Sequence, residues 1–230
     1  MKLQKPTAVI FDMDGTTVRH LNPLFLDILE KLDDFSFKAR KLISSAFPFG
    51  KAKEIKPRRR YSPKMIVHTT IHRFRRKPVE QIVEPCPGIY DVLEFFTKRK
   101  IPLGLVSNSL GRGYGHDILE TFHMKKYFQE MLFAEDINKS KPDPEPITQM
   151  TSLLIPEISE NDVIWYVGDR HKDIQAARNA RNILSCTVEP VAYSLFSSGF
   201  IAILENNLGT ERIFATYDDM HKKLKTLFAP

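Results

Sequence analysis

The sequence predicts an α/β fold built on a doubly wound parallel sheet, with an all-helical insertion after the first strand. Three observations carry that prediction. Short, wholly apolar and β-rich runs recur at Thr7–Phe11, Ile101–Val106 and Val163–Val167, and each stops at acidic, polar or small residues. Segments with apolar residues at helical spacing alternate with these runs. The stretch from about Asn22 to Pro85 breaks the alternation: it carries helical spacing and no strand pattern.

In chain order, Thr7–Phe11 reads as a buried strand that empties into the acidic, glycine-containing turn Asp12-Met13-Asp14-Gly15. Leu21, Leu24, Phe25, Ile28, Leu29 and Leu32 then trace one face of a helix. A Phe-rich segment follows, and a second helix starts near Ser62-Pro63, a favourable N-cap and first-turn pair. These define a helical cap over 21–85, with 1–20 and 86–230 as the α/β core. In the core, helices are expected at Pro87–Lys98, Gly113–Phe122, Glu145–Leu154, Lys172–Ala180 and Asp218–Phe228. Weaker strand candidates are Met131–Ala134 and Ile183–Val188. Strands that are apolar throughout, rather than alternating, imply burial on both faces.

Composition narrows the class. The chain has 230 residues, 42% of them hydrophobic, enough for a substantial core and too many for a disordered chain. Two cysteines, Cys86 and Cys186, do not make a disulfide framework and suit a reducing compartment. The first residues lack the apolar core of a signal peptide. The longest greasy stretch, Val191–Leu204, is interrupted by serines and is shorter than the ~18–20 residues of a spanning helix. A cytoplasmic protein is therefore expected. The sequence leaves the oligomeric state, monomer or dimer, open.

Chemistry is expected at the strand ends, where open parallel sheets bind ligands. Asp12 and Asp14 alternate along an extended segment, so both carboxylates point to one side and call for a cation. Asp169 and Asp173 follow the third strong strand at matching positions. Hard oxygen donors without a Cys or His cluster suit Mg²⁺ rather than Zn²⁺. Ser107 ends the second strong strand, where its hydroxyl and the following amides can hold an anionic oxygen. Lys141, between turn-forming residues in Ser-Lys-Pro-Asp-Pro, supplies positive charge. Together these are the parts of a metal-assisted phosphoryl-transfer site.

The motifs that carry these residues resemble those of the haloacid dehalogenase-like hydrolases. Phe11-Asp-Met-Asp-Gly-Thr-Thr17 is similar to the family's first motif and Val106-Ser-Asn-Ser109 to its second. Lys141-Pro-Asp-Pro-Glu145 is similar to the third and Val167-Gly-Asp-Arg-His-Lys-Asp173 to the fourth. The helical insertion sits where phosphoglycolate phosphatase-like members carry a cap. The resemblance implies a Mg²⁺-dependent phosphatase in which Asp12 is the nucleophile and Asp14 the general acid and base. It implies that Asp12, the main-chain carbonyl of Asp14, and Asp169 hold the metal, with Asp173 as a further or outer ligand. Thr16 would help orient the site, and Ser107, Asn108 and Lys141 would bind the phosphoryl group. Dehalogenases of the family lack the second aspartate of the first motif, so Asp14 argues for phosphate chemistry. A phosphomutase of the β-phosphoglucomutase type and a non-catalytic binding protein are the alternatives. The first motif continues Val18-Arg19-His20 where many relatives have an Asp-Ser pair, which places Arg19 and His20 at the hinge into the cap.

The charge is unevenly spread. Overall, 34 Lys and Arg against 28 Asp and Glu give a net +6. Between Lys51 and Lys77, however, eleven Lys or Arg face one acid, Glu54, and the rest of the chain is net negative. The basic run is expected to be a solvated cap surface. It could also attract a small phosphorylated metabolite or nucleotide, or dock nucleic acid, an anionic membrane or an acidic protein.

Overall fold

A computed structural model of the chain describes residues 3–21, 78–195 and 197–229. The predicted cap helices and the basic run lie in 22–77, outside the described residues.

Strand β1 (Ala8–Phe11) lies in the middle of a six-stranded parallel sheet. On one side are β4 (Leu103–Val106) and then β5 (Glu130–Leu132). On the other are β6 (Val163–Gly168), β7 (Thr187–Tyr193) and β8 (Ile213–Phe214). The chain thus builds outward from β1 in one direction, crosses back, and builds outward in the other, the doubly wound topology the sequence predicts.

Side-chain alternation along the strands makes two cores. Val9, Phe11, Leu103, Leu105, Trp165 and Val167 face α1 (Ile89–Lys98), α2 (His116–Thr121) and α6 (Tyr217–Leu227). Ala8, Ile10, Val106, Ile164 and Tyr166 face α3 (Glu145–Leu154) and α4 (His171–Arg181). Helix α5 (Ser198–Glu205) closes a smaller cluster with Ile174 and Ala192. Trp165 is fully buried, and its indole N–H donates to the Gln4 carbonyl at 2.9 Å, which satisfies its one polar atom.

Several boundaries differ from expectation. The strand expected at Ile183–Val188 runs instead over Thr187–Tyr193, and the greasy stretch Val191–Leu204 is its end plus helix α5. Ser197 divides the two, its hydroxyl accepting from Phe200 N at 3.1 Å as an N-cap. The helix expected at Gly113–Phe122 begins with a wide turn over Gly111–Gly115, in which Arg112 and Gly113 leave helical geometry. Short β2 (Val18–His20) pairs antiparallel with β3 (Val83–Pro85), although the sequence shows no strand between Asn22 and Pro85. Three residues are too few to display alternation, and their pairing is distant in sequence. Among the described residues no helix is long and apolar enough to cross a membrane.

Candidate active site

Sheet register brings the site together. Phe11 stands opposite Leu105 of β4 and Val167 of β6, so the next residue, Asp12, emerges between the ends of both neighbours. The Asp12 N–H donates to the Val167 carbonyl at 2.9 Å, and the Ser107 N–H donates to Leu132 at 2.9 Å, carrying the ladders one residue further. Beyond Gly168, the chain delivers Asp169 and then Asp173 in the first turn of α4.

A tight turn holds the acidic loop. The N–H groups of Thr17 and Val18 both donate to the Met13 carbonyl, at 2.9 and 3.0 Å, and Thr17 Oγ1 donates to the Asp12 carbonyl at 2.6 Å. Gly15 has φ +88°, and a Cβ there would strike the Asp169 carboxylate. Gly15→Ala is therefore expected to lower stability by roughly 1–2 kcal/mol for the left-handed conformation alone. It is also expected to displace Asp169, so a denaturant titration should show that loss and a weaker stabilisation by Mg²⁺ than in the wild type.

Asp12, Asp169 and Asp173 each present a carboxylate oxygen within 4.8 Å of the others. Lys141 reaches into this cluster from the loop before α3. Its ammonium pairs with Asp12, with Asp173 at 2.8 Å and with the Tyr166 hydroxyl at 2.7 Å, and it is itself buried. Thr16 Oγ1 donates to Asp169 at 3.3 Å, and the Arg170 N–H donates to Asp173 at 3.0 Å. One ammonium does not balance three carboxylates. Burial, and then the charges of Asp173 and Asp169, push the Asp12 carboxyl up to about 8 even though Lys141 opposes the shift. Burial and the neighbouring Asp173 likewise push Asp169 up to about 6. Lys141 stays charged: burial opposes its ionisation, but Asp12 and Asp173 hold its pKa well above the ordinary lysine value. Concentrated hard oxygen donors with an excess of negative charge fit a divalent cation such as Mg²⁺.

Asp14 has a different environment. Tyr114 OH donates to its Oδ1 at 2.6 Å, Ser109 Oγ donates to its Oδ2 at 2.8 Å, and His20 Nε2 lies 3.3 Å from Oδ1. Burial alone would raise its pKa, but His20, Tyr114 and Ser109 outweigh burial and hold the carboxyl well below the usual carboxylate range. The two aspartates of one turn are thus pushed in opposite directions: without a cation Asp12 favours its protonated form, and Asp14 stays ionised.

The remaining predicted residues are also here. Ser107 is buried beside Asp12's strand, and its Oγ accepts from Ser109 N at 3.0 Å. Asn108, expected to bind phosphate, uses its side-chain amide on the Lys141 main chain: Oδ1 accepts from Lys141 N at 3.1 Å and Nδ2 donates to Lys141 O at 3.3 Å. Arg19 turns outward to Glu84 at 2.6 Å, while His20, two residues along the pleat from Val18, turns inward. Three members were missed from sequence. Tyr166 lies in a continuous apolar run, although a fully buried phenol signals a polar partner. Ser109 closes the second motif without a role read for it, and Tyr114 falls in the segment expected as helix, whose wide first turn gives it an orientation that helical spacing does not signal.

An acidic cluster at the switch point of a doubly wound sheet, with a buried lysine facing it, is an arrangement suited to phosphoryl transfer. The model of the haloacid dehalogenase-like hydrolase family matches residues 9–187, and the chain belongs to that family. The curated relatives it resembles include pyrophosphatase PpaX of Oceanobacillus iheyensis, 29% identical over 84% of this chain and 87% of that protein. A phosphorylated carbohydrates phosphatase of Thermotoga maritima is 25% identical over 75% of this chain and 81% of that protein. Among solved structures, a hydrolase from Pseudomonas syringae matches with TM-score 0.64 and 16% identity, covering 97% of this chain and 100% of that one. A predicted phosphoglycolate phosphatase from Haemophilus somnus matches with TM-score 0.61 and 20% identity, covering 95% and 97%. At such identities the structures speak for the fold.

Proposed function

We propose that this hydrolase is a Mg²⁺-dependent phosphatase that removes the phosphoryl group from a small phosphomonoester through an aspartyl-phosphate. The single observation that carries the proposal is geometric: Asp12, Asp169 and Asp173 converge on the buried Lys141 ammonium, with Asp14 two residues from Asp12 in the same turn. An Asp12 oxygen attacks phosphorus while the bond to the leaving oxygen breaks, and Asp14, ionised in the free protein, relays to the leaving oxygen the proton that a monoanionic phosphate ester brings with it. Water then attacks the same phosphorus, Asp14 takes its proton, and the bond to Asp12 breaks to release inorganic phosphate. Lys141 and the Ser107 hydroxyl hold the phosphoryl oxygens as charge builds on them, and Asn108 braces Lys141 from behind. Thr16 keeps Asp169 in place. Asp12, Asp169 and the Asp14 carbonyl would hold Mg²⁺, with Asp173 beside them; bound there, the ion supplies positive charge that keeps Asp12 ionised and offsets phosphate repulsion. Substrate selection is assigned to the segment 21–85, which lies in sequence between the two parts of the core, 1–20 and 86–230.

The test is phosphate release from p-nitrophenyl phosphate, glycerol phosphates, hexose phosphates, nucleoside monophosphates and inorganic pyrophosphate, with Mg²⁺ or with chelator. Pyrophosphate belongs on the panel because the relatives named above include a pyrophosphatase. Chelator is expected to abolish turnover; turnover indifferent to it sinks the proposal.

A second test needs no substrate. A carboxyl raised to about 8 binds more protons folded than unfolded, so without metal stability falls as pH rises through that window. The melting temperature of the metal-free protein is therefore expected to drop between about pH 5.5 and about pH 8.5, and Mg²⁺ to raise it more at the higher pH. An equal Mg²⁺ effect at both pH values contradicts the assignment of the ion to these carboxylates.

A further inference from the structure

We propose that Tyr114 and His20 form a positioning pair for Asp14, aiming its carboxyl at the leaving oxygen of the substrate. The proposal rests on the reading of Asp14 as general acid and base, and adds to it two residues from separate parts of the fold.

The geometry is a short ordered chain of hydrogen bonds. Tyr114 OH lies 2.6 Å from Asp14 Oδ1 and 2.9 Å from His20 Nε2. A phenol has one proton to donate, and an ionised carboxylate can only accept. The Tyr114 proton therefore goes to Asp14, and the phenol oxygen accepts from His20, which requires Nε2 to carry a hydrogen. That same N–H lies 3.3 Å from Asp14 Oδ1. Ser109 occupies the other oxygen at 2.8 Å, so both carboxylate oxygens are held and its torsion is fixed.

All three side chains are shielded: Tyr114 is 6% exposed, and the side chains of His20 and Asp14 are 11% and 14% exposed. Their rings run nearly parallel, at 16° with centroids 6.3 Å apart. Tyr114 comes from the wide turn after β4 and His20 from β2, so Asp14 Oδ1 is held by two segments that its own turn does not contain. Their hydrogen bonds to Asp14 are distinct from those that Lys141, Thr16 and main-chain groups make to Asp12, Asp169 and Asp173. The pair therefore makes its hydrogen bonds to Asp14 and not to the nucleophile.

This separation gives a readout that a merely structural role would not move. A strongly basic alkoxide leaves only with a proton, whereas p-nitrophenolate leaves without much help, so a misaimed acid harms alkyl esters selectively. The quantity to measure is kcat/KM, which reports the transfer to Asp12, for p-nitrophenyl phosphate and for the best alkyl phosphate of the panel above. Tyr114→Phe removes one hydroxyl and keeps the ring. It is expected to lower the alkyl-to-aryl ratio of kcat/KM by about tenfold or more. His20→Leu is expected to lower the same ratio, and His20→Gln, which keeps an N–H near the Nε2 position, to restore most of it.

Asp14→Asn run in parallel distinguishes the role of the pair from the role of Asp14 itself. If it lowers the ratio while Tyr114→Phe and His20→Leu do not, the positioning pair is overturned and Asp14 stands. If Asp14→Asn harms both esters equally, or no ester is hydrolysed at all, the acid assignment falls and the pair with it. Unfolding midpoints with and without Mg²⁺ accompany each variant. Should Tyr114→Phe not fold, the His20→Leu and His20→Gln comparison decides alone.

Discussion

Asp12→Asn is expected to cut phosphate release by about 10⁴-fold or more while leaving the fold intact. The amide is the same shape and fits the same turn, but it has no anionic oxygen to form the bond to phosphorus. Structure should survive because the substitution removes one of three crowded carboxylates. Burial and the charges of Asp173 and Asp169 already push the Asp12 carboxyl up to about 8, so its loss relieves repulsion in the metal-free protein. The variant should accordingly melt no lower than the wild type without Mg²⁺ and gain less from Mg²⁺ when it is added. Steady-state phosphate release and thermal unfolding, measured side by side, check both halves. Activity within tenfold of wild type would remove Asp12 as the nucleophile, however complete the rest of the site.

Lys141→Met is expected to be costly in both function and stability, and for one reason. The ammonium is buried against Asp12, Asp173 and the Tyr166 hydroxyl, so its removal leaves uncompensated buried carboxylates. Breaking a buried pair in this way typically costs about 3–5 kcal/mol. At neutral pH the metal-free variant should therefore unfold at markedly lower denaturant than the wild type. Because the remaining cluster is more negative, Mg²⁺ should recover more stability in the variant than in the wild type. Turnover should stay down by about 10²- to 10³-fold even with the metal present, since the charge that offsets the phosphoryl oxygens is gone. Recovery of turnover together with stability would make Lys141 a structural counter-charge only.

Particular residues show what the sequence made legible and what it hid. The strands that end at Asp12, Ser107 and Asp169 were readable because a fully buried strand has a plain apolar signature and the polar residues begin abruptly at its end. Helix α3 was read with its observed bounds, since Pro144 and Pro146 mark its start and its apolar face is periodic. Strand β7 was misplaced because Glu189 and Pro190 interrupt it. Tertiary contacts excuse both: Glu189 is buried but paired with Arg212 at 2.6 Å, and β8 pairs only with Ala192 and Tyr193, leaving that flank of Pro190 without a ladder. In the site, residues inside a recognisable spacing could be singled out, and Asp173 lies in one cluster with Asp12 and Asp169. Tyr114 was not found, because its approach to Asp14 spans 100 residues and depends on a non-helical turn at Arg112 and Gly113. His20 was noticed as a departure from the first motif, but its inward orientation follows from β2 pairing with β3, which local pattern does not encode.

The central claim is that Asp12 carries the phosphoryl group between substrate and water. Its most direct measurement is the intact mass of the protein quenched in acid during turnover of the best phosphomonoester, followed by peptide mapping. The account predicts a Mg²⁺-dependent adduct of one phosphoryl group on Asp12, sensitive to hydroxylamine and absent from Asp12→Asn. It also predicts that the adduct accumulates in Asp14→Asn, where water lacks its base. Steady turnover by the wild type with no adduct in either protein, or an adduct that maps to another residue, would contradict it.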